Sequence, residues 1–475
     1  MFLKVRGGTV VRPEGLEEAD IVCRDGVVTE IGPAIDTKVD EEIDASGQLV
    51  FPGFIDPHVH SRDPGLREKE TFGHMTAAAA AGGVTSVFEM PNVVPPLSSE
   101  AVLDERVPYL QAQAHVDFGL WGIALGTENL TELPKLIQRG VVGIKLFWGY
   151  AFSRETGRML YTTGEEAAED LLRPPDNGGV LEIFEAVARS GGLLAVHCED
   201  KAILDWAART AEASRESYDD FLRSRPDVAE AASVAAAVEF AQHTGCRFHV
   251  VHVSAARSAN LIRQARAGGV SVTAETCPQY LTLTDEDYGP ESVMKVYPPI
   301  RRRQDQDALW DALLDGTIQS IGSDHAPHTV DEKRRPLWSQ PAGAAGVETT
   351  ARVLLNEAHQ GRLSYEKLSW LLAEGTARVY GVYPKKGRIQ VGGDADFTVV
   401  DPNRSWRIAN EDLHSLNSLS PWDGASGTGA PTRTVVRGRV VMADGELTSS
   451  PGYGQFFGPK GPSVDRESAA REMSV

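Results

Sequence analysis

The chain is poor in several things, and each shortage removes a class of protein. It has 4 cysteines in 475 residues. These are Cys23, Cys198, Cys246 and Cys277, with no CxxC pair among them, so neither a disulfide framework nor a thiolate zinc site is indicated. A basic surplus is also missing: 47 Lys and Arg against 67 Asp and Glu leave a formal net charge of -20, the wrong sign for binding a phosphate backbone. The tight basic triplet Arg301-Arg302-Arg303 reads as a loop feature. No apolar run approaches the length of a membrane span. The opening Met1-Phe-Leu-Lys-Val-Arg-Gly-Gly turns polar too soon for a signal peptide. The expectations are no nucleic acid, no membrane and a cytoplasmic setting. Hydrophobic residues at 41% and charged residues at 24% are ordinary for a globular protein of two or three domains.

What the chain does have is histidine in telling places. Asp56-Pro-His-Val-His60 closes the apolar run Val50-Phe-Pro-Gly-Phe-Ile55. Side chains alternate across a strand, so His58 and His60 at i and i+2 project to one side and can grip one metal ion. A lone histidine at a strand end is more often structural, but a pair at this spacing is not core filling.

From residue 50 onward, short β-branched or apolar runs alternate with amphipathic stretches, the mark of βα units. Eight runs can be counted, at 51–60, 84–92, 115–125, 141–150, 191–200, 246–254, 270–281 and 318–328. Separated by helical stretches such as 71–81, 228–243 and 255–267, they predict an α/β fold, a (β/α)8 TIM barrel. Chemistry in such a barrel sits at the C-terminal strand ends. Here those ends carry His58 and His60, Asn92, Lys145 to Tyr150, His197, His252, and Asp324, His325 and His328. The flanks instead show short strands and turns, which predicts one small β-sandwich built from both chain ends. The expected domains are 1–52 (β-sandwich, first part), 53–385 (barrel), 386–455 (β-sandwich, second part) and 456–475 (C-terminal tail). From Tyr453 on, Gly, Pro and Ser enrichment predicts a segment that wraps a neighbour or frays.

The motifs Gly53-Phe-Ile-Asp-Pro-His-Val-His60, Gly143-Ile-Lys-Leu-Phe147, Ala195-Val-His-Cys-Glu199, His249-Val-Val-His-Val-Ser254, Glu275-Thr-Cys-Pro-Gln-Tyr280 and Gly322-Ser-Asp-His-Ala-Pro-His328 resemble the amidohydrolase superfamily over nearly the whole chain. Within it they resemble the cyclic amidohydrolases: dihydroorotases, hydantoinases or dihydropyrimidinases, and allantoinases. The resemblance implies a metal-dependent enzyme with two divalent ions, zinc first with Mn or Co also suited to the donors. It assigns His58, His60 and Asp324 to one ion and His197 and His252 to the other, with Lys145 bridging as a carbamate. It makes Asp324 the general acid/base and His325 a supporting residue. It also implies a small-molecule cyclic amide as substrate and a homo-oligomer, dimer or tetramer.

Two sets of residues point to different rings. Arg62, Asn92 and His328 resemble the trio with which dihydroorotases hold a substrate carboxylate, and an arginine fork suits a carboxylate. Tyr150, five residues after Lys145, resembles the hydantoinase and dihydropyrimidinase tyrosine that polarises the scissile carbonyl. Ser224-Arg-Pro226, Ser420-Pro-Trp-Asp-Gly424 and Gly454-Gln-Phe456 also look like hydantoinases and allantoinases. The leading expectation is a dihydroorotase-like enzyme with a carboxylate-bearing ring; the alternative is a hydantoinase, dihydropyrimidinase or allantoinase. A catalytically silent dihydropyrimidinase-related scaffold and a hydrolase of linear N-acyl amino acids or dipeptides are further readings.

Overall fold

In a computed structural model of the protein, residues 2–160, 170–211, 217–289 and 292–459 are described. Eight parallel strands are hydrogen-bonded in chain order: Phe54–Val59, Val84–Glu89, Asp117–Ile123, Gly143–Trp148, Leu193–Cys198, Arg247–Val250, Val272–Thr276 and Ser320–Ile321. A parallel bridge between Val59 and His325 brings the last strand to the first, and the His60 amide donates to the His325 carbonyl at 2.7 Å. The barrel is therefore nearly closed. Most of its strands are buried along their whole length, as expected where helices cover a parallel sheet, and so they read as unbroken apolar runs.

The strands are shorter than the sequence runs. Apolar sequence continues beyond the ladder into the loops, and those extra residues carry most of the polar chemistry: His60, Asn92, His252 and Asp324 all lie past their strand ends. The helices begin where the sequence supplies caps. The Thr71 hydroxyl accepts from the His74 amide at the start of Phe72–Ala81, and Asp176 accepts from Gly179 at the start of Asn177–Arg189. The helix Asp227–Thr244 ends at Gly245, whose φ of 69° is the left-handed conformation that glycine adopts without a side-chain clash.

Both chain ends share one nine-stranded mixed sheet. Phe2–Arg12 pairs antiparallel with Gly15–Arg24 and parallel with Leu49–Pro52. Leu49–Pro52 in turn pairs antiparallel with Phe397–Arg407, so residues as far apart in the chain as Leu49 and Val400 are neighbours. A buried charge cluster joins this sheet to the barrel. The Lys386 ammonium lies 2.6 Å from Asp117, on the third barrel strand, 2.6 Å from Asp396 and 3.0 Å from Asp394.

Over its described part the segment from Tyr453 does not fray but packs on its own barrel. The Phe118 amide donates to the Gln455 carbonyl at 3.0 Å and the Phe457 amide to the Phe118 carbonyl at 2.9 Å, and Phe457 buries its ring 5.7 Å from that of Phe88. The aromatic pair Phe456-Phe457 outweighs the surrounding glycine and proline, because it has a hydrophobic site to fill on its own barrel. Residues 460–475, the remainder of the expected tail, lie outside the described residues. No helix among the described residues is long and apolar enough to cross a membrane.

Candidate metal centre at the barrel mouth

The polar residues of the strand ends do meet. His58, His60, Arg62, Tyr150, His197, His252 and Asp324 line one pocket, with Phe147, Met159, Tyr297, Ala326, Ala342 and Gly343 completing its walls. Ligand-type atoms of His58, His60 and Asp324 lie within 4.8 Å of one another. Both Nε2 atoms are 3.3 Å from Asp324 Oδ1. His197 Nδ1 lies 2.9 Å from His252 Nε2, and the His58 and His252 rings are 5.4 Å apart, which links the two groups.

The outward nitrogens explain the orientation. Glu275 accepts from His58 Nδ1, Asn92 Oδ1 faces His60 Nδ1 at 2.8 Å, and Glu199 accepts from His197 Nε2 at 2.9 Å. A carboxylate or amide oxygen only accepts, so each of these rings carries its proton on the outward nitrogen and turns a bare lone pair inward. Outer partners of this kind fix the tautomer of metal-binding histidines. Bare nitrogens facing the Asp324 carboxylate repel one another unless a cation lies among them. The donor set therefore fits a divalent metal.

Burial reinforces the neutral imidazoles. It lowers His60 to about 4, opposed by Asp324, and it lowers His197 and, more strongly, His252. Burial opposes the Asp324 charge, and positive charge at the His58 and His60 side, from a protonated imidazole or from a cation in its place, would outweigh that and lower the carboxyl below its ordinary range. Glu275 behaves alike: burial opposes its charge, and His58 and His249 more than offset the penalty. Tyr380 completes that support, donating to Glu275 at 2.7 Å.

Lys145 sits in the middle of the fourth strand, fully buried. Its Nζ has no hydrogen-bond partner among the described residues and lies 5.0 Å from the Phe147 ring centroid. Burial brings its pKa down to about 8, with Glu275 and Asp324 opposing. A buried, unpartnered ammonium is costly, whereas a neutral amine there is a nucleophile.

Three of the pocket-lining residues hold positive φ without being glycine: Arg62 at 62°, His252 at 41° and Asp324 at 50°. Such strain collects at functional sites, where the surrounding structure fixes it. The close approach of the eighth strand to the first requires Gly322, since a Cβ there would lie 2.8 Å from that of His58.

The three residues expected to clamp a carboxylate each have protein partners of their own. Asn92 holds the His60 ring and is engaged in orienting it. His328 lies beside Arg62, Nε2 to Nη2 3.2 Å, and also contacts the Ala342 carbonyl at 2.9 Å and the Lys69 ammonium at 3.1 Å. Of the three, Arg62 alone lines the pocket. His325 faces away, accepting from the Gly346 amide at 3.2 Å. Glu199, Glu275 and Arg225 fall inside the motifs quoted above but were given no role there. Glu199 had a local signal, since at i+2 from His197 it shares that strand face. The roles of Glu275 and Arg225 had none, because their partners are distant in the chain.

A barrel whose C-terminal mouth gathers four imidazoles, a carboxylate and a buried lysine is the framework of a metal-dependent hydrolase. Comparison with known proteins agrees. Residues 49–441 match the model of the amidohydrolase family. The chain is 40% identical over 463 residues to the allantoinase of Rubrobacter xylanophilus, covering 96% of this chain and 98% of that one. It is 34% identical to the L-hydantoinase of Paenarthrobacter aurescens, covering 95% and 97%. The solved L-hydantoinase (dihydropyrimidinase) from Arthrobacter aurescens superposes with a TM-score of 0.88 at 34% identity, over 96% of this chain and 99% of that one. The chain belongs to the amidohydrolase family, and within it to the cyclic amidohydrolases. These relatives do not support the leading dihydroorotase expectation; they favour the alternative.

Proposed function

We propose that the protein opens a hydantoin-type ring, allantoin or a 5-substituted hydantoin, by hydrolysing its cyclic amide bond. The observation that carries this reading is the convergence of His58 and His60 on Asp324 beside the paired His197 and His252, with Lys145 buried and unpartnered on the fourth strand, in a chain whose full-length relatives are named allantoinase and L-hydantoinase. His58, His60 and Asp324 would hold one divalent ion and His197 and His252 the second. Neutral Lys145 would add carbon dioxide and bridge them as the carbamate. Zinc is the first choice, with Mn or Co suited to the same donors. When bound, two such ions supply Lewis acidity and lower the pKa of water.

The residues then divide the work. Asp324 takes a proton from the attacking water and passes it to the ring nitrogen as the C–N bond breaks, leaving a carboxylate and a new N–H. Tyr150 donates to the carbonyl oxygen, where negative charge develops. Glu275, Asn92 and Glu199 keep three of the imidazoles aimed. Phe147, Met159 and Tyr297 supply the apolar wall against the ring substituent.

A second reading, a carboxylate-bearing ring such as dihydroorotate, has one observation in its favour. The Arg62 guanidinium is buried and faces the pocket, and its hydrogen-bond partners are the Pro327 carbonyl and the His328 ring, neither of them acidic. Turnover of allantoin, hydantoin, 5-carboxymethylhydantoin, dihydrouracil and dihydroorotate by metal-loaded protein separates the two. Preference for allantoin or hydantoin supports the first reading, and preference for dihydroorotate overturns it in favour of the second.

A further inference from the structure

Beside the pocket lies an ion pair that the chemistry above leaves unexplained. Arg225 follows the short helix Tyr218–Ser224, and its side chain is buried. Its Nε donates to Glu199 Oε1 at 3.1 Å and its Nη2 donates to Glu199 Oε2. The same Nη2 donates to the Tyr150 hydroxyl oxygen at 2.9 Å. The guanidinium plane lies over the Tyr297 ring, 3.6 Å from its centroid, and its backbone carbonyl accepts from Arg301 at 3.1 Å. So the group is fixed on each side. Glu199, on its other flank, accepts from His197 Nε2 at 2.9 Å, and the Tyr150 and His197 rings are 4.9 Å apart.

One carboxylate and one guanidinium thus connect the His197 imidazole with the Tyr150 phenol, which lines the pocket and whose hydroxyl is directed at Glu199 Oε2 at 3.5 Å. A carboxylate paired with a buried arginine is common as a structural brace, and removing either partner alone leaves an uncompensated charge. This brace has a further consequence. A guanidinium donating into the phenol oxygen occupies one of its acceptor positions and restricts the direction in which the hydroxyl hydrogen can point. It also places positive charge beside the oxygen, which makes the O–H a stronger donor.

We propose that Arg225 is a positioning residue for the reaction: it orients the Tyr150 hydroxyl toward the scissile carbonyl, and through Glu199 it keeps that hydroxyl in register with His197. This rests on the ring-opening reading, in which Tyr150 is the carbonyl donor. Its effect appears in the chemical step, because the carbonyl oxygen gains charge only as the bond to water forms.

The test is a double-mutant cycle with metal content as a second readout. Arg225→Gln and Arg225→Lys are each made in the wild-type and in the Tyr150→Phe background, and kcat, KM and bound metal are measured on the best ring substrate. Arg225→Lys keeps a cation against Glu199 and guards against simple misfolding, but one ammonium cannot fork to Glu199 and Tyr150 with the same geometry. The expected result is a loss of kcat of about 10- to 100-fold in both variants, short of the ~10² to 10³ for deleting an oxyanion donor outright. KM and metal content should stay near wild type. With Tyr150→Phe, where no hydroxyl remains to be aimed, the further loss should be under about 3-fold, because residues acting as one unit are not additive. Equal fold-losses in both backgrounds, full kcat in Arg225→Lys, or loss of metal in step with activity would each overturn the proposal and leave Arg225 as a structural brace. A wild-type protein that turns over no cyclic amide would instead remove the functional reading itself, a different outcome from additive losses in an active enzyme.

Discussion

Carbamylation of Lys145 can be tested through its pH dependence. Only the neutral amine attacks carbon dioxide. An ordinary lysine, with a pKa near ~10.4, is neutral in about 1 molecule in 2,500 at pH 7. Burial brings Lys145 to about 8, so about 1 in 11 is neutral at pH 7 by the same arithmetic. The sign follows from the charge: burial disfavours the ammonium, so the reactive fraction rises with pH and levels off above the lowered value. The assay strips metal and carbonate at low pH, returns the protein to a chosen pH at fixed dissolved 13C-labelled carbon dioxide, and follows the carbamate signal by NMR. The initial rate should climb about tenfold per pH unit below about 7, about fivefold from 7 to 8, and flatten beyond. Lys145→Ala should lack the signal, and added short-chain carboxylates should restore part of its activity by standing in for the bridge. A rate still climbing tenfold per unit at pH 10, or a signal unchanged in Lys145→Ala, would refute the reasoning.

Three further outcomes follow from the same structure. Asp324→Asn should lower kcat by about 10²- to 10⁴-fold while substrate still binds, since an amide cannot carry the proton; steady-state kinetics with a near-wild-type rate would move that role elsewhere. Arg62→Met should weaken binding of a carboxylate-bearing ring by about 2–5 kcal/mol and leave allantoin or hydantoin nearly unchanged; equal losses by calorimetry would show that Arg62 acts structurally. Lys386→Met should destabilise the fold by about 3–5 kcal/mol in urea, because it removes the buried cation that Asp117, Asp394 and Asp396 share and leaves Asp117 with Arg437, at 3.0 Å, as its remaining cation. Although burial opposes the Lys386 charge, those three carboxylates outweigh it and raise its pKa. Its contribution should therefore be complete below the unfolded lysine's ~10.4 and be lost only as pH rises beyond that. A loss under about 1 kcal/mol would contradict this assignment.

The barrel was legible because a parallel strand buried on both faces leaves an unbroken apolar run, and because the polar residues ending those runs fall on one rim. Strand lengths were not legible. The run at 318–328 becomes only Ser320–Ile321, since Asp324 leaves the extended region at φ 50°. The residues at ligand positions could be read from local spacing, as with His58 and His60, whereas their supports could not. Glu275 meets His58 across 217 residues, and Arg225 meets Tyr150 across 75. Asn92, expected beside Met90-Pro91 as part of a carboxylate clamp, has a contact that its local sequence did not disclose, to His60 Nδ1 at 2.8 Å. Ring identity was least legible because the pocket wall comes from loops, with Met159, Tyr297 and Gly343 brought together from separate parts of the chain.

The central claim is that two metal ions held at this mouth open a cyclic amide. Its most direct test is a titration of chelated protein with zinc in bicarbonate buffer, following ring opening of hydantoin or allantoin against equivalents added. The account expects no turnover without metal and a rise that saturates at two equivalents per chain. Turnover by fully chelated protein, or saturation at one equivalent, would contradict it.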